Sequence, residues 1–215
     1  MTRGRADPPT SVPELIARLR DETTTGCIYD WPGPPIAACL QLPNVVARHR
    51  KILQRPPRPA ATASRAPLEP VDHALGEVAA LFRSCFAPDT CERQLYDTPA
   101  DPFEDHLAQL AAGQLVGPVD WARSGGVRSD AAGLTAAVIA TRPQPGMVWI
   151  AWLLVSPAVQ RRGLGKLLLT SAADGTDPVR LTVTANTAAA AFYRHLGFNE
   201  RSEATLYRRA EQHDR

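Results

Sequence analysis

Between Val155 and Lys166 the sequence reads V-S-P-A-V-Q-R-R-G-L-G-K, a stretch suited to holding a phosphorylated ligand. Pro157 closes an apolar run, and a helix is expected to begin near Gly163. A helix start exposes unpaired N–H groups and a positive partial charge, both suited to a pyrophosphate. Gly163 and Gly165 remove side chains where an anion must approach the backbone. Arg161, Arg162 and Lys166 add positive charge around it. Two other phosphate loops fail on single positions. A Walker A loop needs glycine where Gln160 stands and Ser or Thr where Leu167 stands, and a dinucleotide fingerprint needs a third glycine where Leu168 stands. Farther along, Tyr193 offers a phenol with an ordinary pKa near ~10, protonated at neutral pH and able to donate a proton. Its plain alternative is a packing tyrosine beside Phe192.

The turn resembles the acyl-CoA motif of the GNAT superfamily, Q/R-x-x-G-x-G/A after a strand ending V-x-P. A second stretch, N-T-A-A-A-A-F-Y-R-H-L-G-F from Asn186 to Phe198, resembles the family's N-x-x-A-x-x-x-Y-x-x-L-G-F. The resemblance runs from Leu134 to Phe198, extends to Leu68 and Arg209, and leaves out the first 55 residues. It implies an α/β (α+β) fold, with a mixed, mainly antiparallel sheet flanked by helices and a V-shaped splay between its central parallel strands. It also implies an N-acyltransferase that moves an acetyl group from acetyl-CoA to a primary amine by direct attack in a ternary complex. The strand from Ile150 to Val155 would carry a bulge, and the backbone of Leu153 and Val155 would bind the pantetheine arm. The turn of Gln160, Arg161, Arg162, Gly163, Leu164, Gly165 and Lys166 would hold the pyrophosphate. Asn186 would contact the pantetheine, beside its own reading as a helix cap. Tyr193 would protonate the departing thiolate, and the N–H near Leu153 would polarise the thioester carbonyl.

A general base is harder to find. The strand from Met147 to Val155 has no carboxylate and carries Trp149 and Trp152 instead. Glu104, Asp105, His73 and His106 lie on helices that border the acceptor cleft in the family, and each also reads as a surface residue. Deprotonation by solvent is an equal alternative. The segment Asp89 to Asp105 holds six acids against Arg93 alone. It would favour a cationic amine if it bordered the cleft, and otherwise reads as a solvated loop with helix-capping acids. An acyl-CoA-binding sensor with little catalysis is the other reading of the whole protein.

These residues need elements to position them. Ser11-x-x-Glu14 starts a helix that runs to about Arg20. Trp31-Pro-Gly-Pro-Pro35 reads as a turn or exposed loop, and Asn44 as the cap of a helix from Val45 to Leu53 with a basic face. The proline-dense stretch from Arg55 to Pro70 cannot continue a helix. The expected organisation is therefore an N-terminal extension over 1–55, a connector over 56–70, an acyltransferase domain over 71–210 and a tail over 211–215. Val71, Leu75, Val78, Ala79, Phe82 and Phe86 form a helical stripe, and Asp101-Pro-Phe-Glu104 resembles a capped helix start, with the helix running to about Ala112. Leu115 to Asp130 reads as loop with one short strand. Leu134–Thr141 and Met147–Val155 form an antiparallel hairpin around Pro143 and Gly146. A helix with Leu164, Leu167, Leu168 and Ala172 on one face follows. A strand at Val179–Thr184, a helix at Thr187–Leu196 and a last strand at Ala204–Arg208 complete the pattern. The helix between the strands at 148–155 and 179–184 makes them parallel neighbours.

Bulk properties narrow the function classes. A chain of 215 residues with 44% hydrophobic content can bury a core, and a net charge of +2 gives no strong pull toward nucleic acid or anionic membrane. DNA binding through Arg48 to Lys51 is accordingly weak as a reading. Cys27, Cys39, Cys85 and Cys91 lack C-x-x-C spacing, so neither zinc nor any other metal is expected, and reduced thiols point to the cytoplasm. The N-terminus reads as neither signal nor transit peptide. The extension has three available roles: covering the cleft, packing on the sheet edge, or mediating a homodimer.

Overall fold

The apolar runs on either side of Pro143 and Gly146 form the expected hairpin, β4 (Gly133–Thr141) and β5 (Val148–Val155), with Gly146 at φ +74 in the turn. The computed structural model describes residues 7–21, 27–57, 68–99, 101–173 and 175–209. The proline-rich connector over 58–67 and the tail over 211–215 lie outside them. The remaining strands are β1 (Ile28–Pro32), β2 (Val45–Arg55), β3 (Gly125–Ser129), β6 (Val179–Thr184) and β7 (Asn199–Arg209). All seven form one sheet in the order β1-β7-β2-β6-β5-β4-β3. Among the described residues its only parallel pair is β5–β6. Glu69 makes an isolated antiparallel bridge to Gly126 of β3.

The helices are α1 (Val12–Arg20), α2 (Ala37–Leu40), α3 (Leu75–Cys85), α4 (Cys91–Tyr96), α5 (Phe103–Ala111), α6 (Leu164–Ala172) and α7 (Ala188–His195). Burial of alternate strand residues on the two faces sorts the helices into two layers. Leu53, Ile150, Leu181 and Val183 pack with Leu168 and Leu169 of α6 and Tyr193 of α7. Tyr29 and Tyr207 extend that face and receive Leu15 and Leu19 of α1 and Cys39 of α2. On the opposite face, Ala137, Ile139 and Leu154 meet Val78 and Phe82 of α3 and Phe103 and Leu107 of α5. This is the expected mixed, mainly antiparallel sheet flanked by helices.

Three expectations are corrected. The helix expected over Val45 to Leu53 is the strand β2, paired to β7 on one edge and β6 on the other. Its charges do not form a solvated helix face, because opposite charges arrive from other elements. Arg50 pairs with Asp30 at 2.5 Å, Lys51 with Glu200 at 2.7 Å, and His49 with Glu203 at 3.1 Å. Residues 28–32 and 45–55 thus share a sheet with residues 125–209. Trp31 and Pro32 close β1, and the turn begins at Gly33. The start of α5 is capped by Asp97 and not Asp101, since the Asp97 carboxylate accepts from Phe103 N at 3.1 Å. The Ser11 start of α1 is as expected, with its Oγ accepting from Glu14 N.

Candidate active site

The site begins where β5 and β6 part. Their pairing runs from Val148↔Val179 to Ile150↔Leu181 and then stops. Immediately beyond, the β4–β5 register jumps from Ala140↔Ile150 to Ile139↔Trp152, leaving Ala151 as a bulge. A bulge adds local twist and bends its strand, which turns the end of β5 away from β6. The bond from Ser156 N to Thr135 O fixes which way the freed backbone faces. It flanks the pair Ala136↔Val155, so Val155, and by alternation Leu153, directs its N–H and C=O away from β4 into the splay. The expected bulge and splay are both present.

The glycine turn lies just past the end of β5. Arg161 at φ +63 and Gly163 at φ +83 fold the chain back sharply, and α6 begins at Leu164 with no side-chain cap. Its first bond runs from Leu167 N to Gly163 O, so the N–H groups of Leu164, Gly165 and Lys166 have no intrahelical acceptor. A Cβ on Gly163 would meet nothing within 4 Å, whereas one on Gly165 would lie 3.4 Å from Phe192 Cζ and 3.8 Å from Val155 Cγ2. A small side chain at Gly165 would thus make ordinary contact with α7 and the end of β5, while Gly163 leaves open space. Arg161, Arg162 and Lys166 are exposed beside the turn. Gln160 donates its Nε2 to Val155 O at 3.1 Å, tying the turn to the strand. Asn186 is exposed at φ +58, and the cap of α7 falls to Thr187, whose Oγ1 accepts from Ala190 N.

Tyr193 reaches the splay from α7. It is 8% exposed, its ring packs against Phe192 and Phe198, and no group among the described residues hydrogen-bonds its hydroxyl. Burial drives its pKa upward, against the opposing charge of Arg48, so the phenol stays protonated well above neutrality. Tyr193 and Leu153 line one cleft of about 960 Å³, which continues across the sheet face under α4 and α5. Trp149, Trp152, Tyr96 and Leu110 supply its apolar wall.

The cleft contains polar groups that the sequence pattern did not single out. Arg48 of β2 donates Nε to Thr184 Oγ1 at 2.9 Å and Nη1 to Tyr96 Oη at 3.3 Å. Glu92 of α4 accepts from the Thr184 hydroxyl at 2.5 Å and stands 3.4 Å from Arg48 Nε. Burial alone would raise the Glu92 carboxyl, but the Thr184 bond and the Arg48 charge outweigh it and hold its pKa below the ordinary value. Reading Val46, Arg48, Arg50 and Ile52 with a period of two would have placed both arginines on one strand face.

Of the four groups considered as proton relays, only His106 lines the cleft. Glu104 and Asp97 bind Arg83, Asp105 is exposed, and exposed His73 pairs with Asp72. His106 is part of the wall: Trp152 Nε1 donates to its Nε2 at 3.3 Å, and its ring stacks on Phe103. Burial pushes its pKa down to about 4 from 6.5, and the Trp152 bond occupies its lone pair, so it is no base. As pH falls from 6.5 to 4 the unfolded chain takes up this proton before the folded one does. The shift corresponds to ~3 kcal/mol of stability lost across that window. His106→Phe should therefore flatten the pH dependence, and denaturant unfolding at neutral and acid pH for both proteins measures it. Equal slopes for the two would show that His106 does not fold in neutral form.

Residues 112–200 match the family described as an acetyltransferase (GNAT) domain. Among solved structures, the chain is similar to one described as an acetyltransferase from the GNAT family of Novosphingobium aromaticivorans. That likeness is at 20% identity and a TM-score of 0.50, covering 96% of this chain and 83% of that one. A functionally unknown conserved protein from Staphylococcus epidermidis is similar at 9% identity and a TM-score of 0.63, with the same coverages. At such identities these two likenesses bear on the fold alone. No curated protein matches the sequence at a significant level. No helix among the described residues is long and apolar enough to cross a membrane. Residues 112–200 of this chain are thus the part that matches a GNAT acetyltransferase domain, a family whose chemistry in general terms is acyl transfer.

Proposed function

We propose that the protein is an acetyl-CoA-dependent N-acetyltransferase that uses direct amine attack within a ternary complex. The observation that carries this reading is the parted β5–β6 pair, which opens onto the buried phenol of Tyr193, bonded by no group among the described residues. Acetyl-CoA supplies the activated acyl group. Its pyrophosphate suits the uncapped N–H groups of Leu164 to Lys166, with Arg161 and Arg162 alongside. Its pantetheine arm suits the outward-facing backbone of Leu153 and Val155, with Asn186 at the mouth.

A neutral amine attacks the thioester carbonyl carbon, so a C–N bond forms and the C–S bond breaks. The Leu153 N–H polarises the carbonyl oxygen. Tyr193 gives its proton to the leaving sulfur and regains one from water, and the proton lost by the amine nitrogen goes to solvent. The cleft across the sheet face, under α4 and α5, receives the acceptor.

Release of free CoA thiol from acetyl-CoA, followed across a panel of primary amines, tests the reading. Amine-dependent release with the acetyl group recovered on nitrogen is expected. Tight CoA binding with no release for any amine would favour a sensor instead.

A further inference from the structure

Of the six acids from Asp89 to Asp105, only Glu92 and Asp101 line the cleft, and each stands beside an arginine, Glu92 by Arg48 and Asp101 3.5 Å from Arg208. Asp30, which also lines it, faces Arg50. The cleft therefore offers a plain cationic amine no acid of this segment without a cation beside it. Instead, a pair of opposite charges stands in the cleft within reach of Tyr193, whose hydroxyl feels the Arg48 charge.

The pair is tied into the wall: the Glu92 carboxylate accepts from the Thr184 hydroxyl at 2.5 Å on one oxygen and from the Cys91 thiol at 3.2 Å on the other. Arg48 uses Nε and Nη1, and its ring neighbour Tyr96 lies 5.8 Å from the guanidinium, but Nη2 has no acceptor among the described residues. A guanidinium fork with free N–H groups matches a carboxylate. Beside it, the Glu92 carboxylate accepts N–H donors. Around both lie Trp149, Trp152 and Tyr96. Resting on the N-acetyl transfer reading, we infer that the acceptor is an α-amino acid with an aromatic or large apolar side chain. Arg48 takes its carboxylate, Glu92 orients its amine toward the thioester, and the tryptophan wall takes its side chain. The adjacent opposite charges of such a zwitterion mirror the Arg48–Glu92 pair.

Phenylalanine, phenylalaninamide and phenethylamine share one body and one amine and differ in the carboxylate. The wild-type protein should acetylate phenylalanine with a kcat/KM about tenfold or more above the other two. This comparison is stringent, because the amide's amine loses its proton more readily. Arg48→Gln should erase that preference by lowering phenylalanine turnover selectively. A purely structural role for Arg48 would lower all three alike, which counts against the inference. Equal or better turnover of the amide and phenethylamine by the wild type overturns it while leaving N-acetyl transfer intact. Absence of thiol release with every amine overturns both.

Discussion

Tyr193→Phe should lower kcat on the order of 100-fold, the usual worth of a positioned proton donor, with acetyl-CoA affinity close to that of the wild type. Phe keeps the ring contacts to Phe192 and Phe198 and removes only a hydroxyl that no group among the described residues bonds. Packing should therefore survive, and a change in turnover can be assigned to the lost proton. The pH profile sharpens the test. Because burial raises the Tyr193 pKa, the wild type should show no alkaline loss of kcat from this group at pH values below its ordinary ~10. Stopped-flow or steady-state thiol release measures kcat, and equilibrium titration with CoA measures the affinity. A kcat unchanged by the substitution removes Tyr193 from the mechanism.

The second large effect is expected at the glycine turn. Gly163→Asp should raise the KM for acetyl-CoA on the order of 10- to 100-fold, the size of losing charge-assisted bonds to a phosphate. Saturated turnover should change little, since the substitution lies outside the cleft. A Cβ at Gly163 meets no neighbour within 4 Å, so no clash disturbs α6. The φ of +83 costs about 1 kcal/mol for a residue with a side chain, least for Asp and Asn. Gly163→Asn carries that same backbone cost without the charge, and should keep the KM near the wild-type value. Thermal unfolding of both variants checks that the fold is unchanged. Equal KM values for the Asp and Asn variants would place the pyrophosphate elsewhere.

What the sequence revealed and concealed follows from the range of the interactions involved. The turn at Gly163 was legible in the chain itself, because the start of α6 needs glycines a few positions apart, whereas the bulge in β5 and the role of Tyr193 followed from the family resemblance. The ring partners of Tyr193, Phe192 and Phe198, both lie within five residues of it. β2 was misread because Arg48, His49, Arg50 and Lys51 look like a solvated helix face when their partners are unseen. Those partners, Glu92, Asp30, Glu200 and Glu203, come from three other elements, α4, β1 and β7. The cap of α5 was misplaced by four residues for the same reason: Asp97 reaches Phe103 N across a turn that local patterning does not define. The Arg48–Thr184–Glu92 contact joins three elements, and only the folded sheet brings them together.

The position of β2 between β6 and β7 also bears on the order of assembly. Val45 pairs with Arg209 and Arg55 with Val179, so both edges of this strand wait for segments far along the chain. Closing such long loops costs entropy before any contact repays it, which slows folding in proportion to sequence separation. The hairpin β3–β4–β5 can form from local contacts, while β1 and β2 stay unpaired until β6 and β7 arrive. In that interval β2 presents two open edges, the arrangement most prone to pairing with another chain. Arg48, Arg50, Lys51 and Arg55 then repel copies of the same strand, so the charges that later pair with acids across the folded molecule first guard it against aggregation.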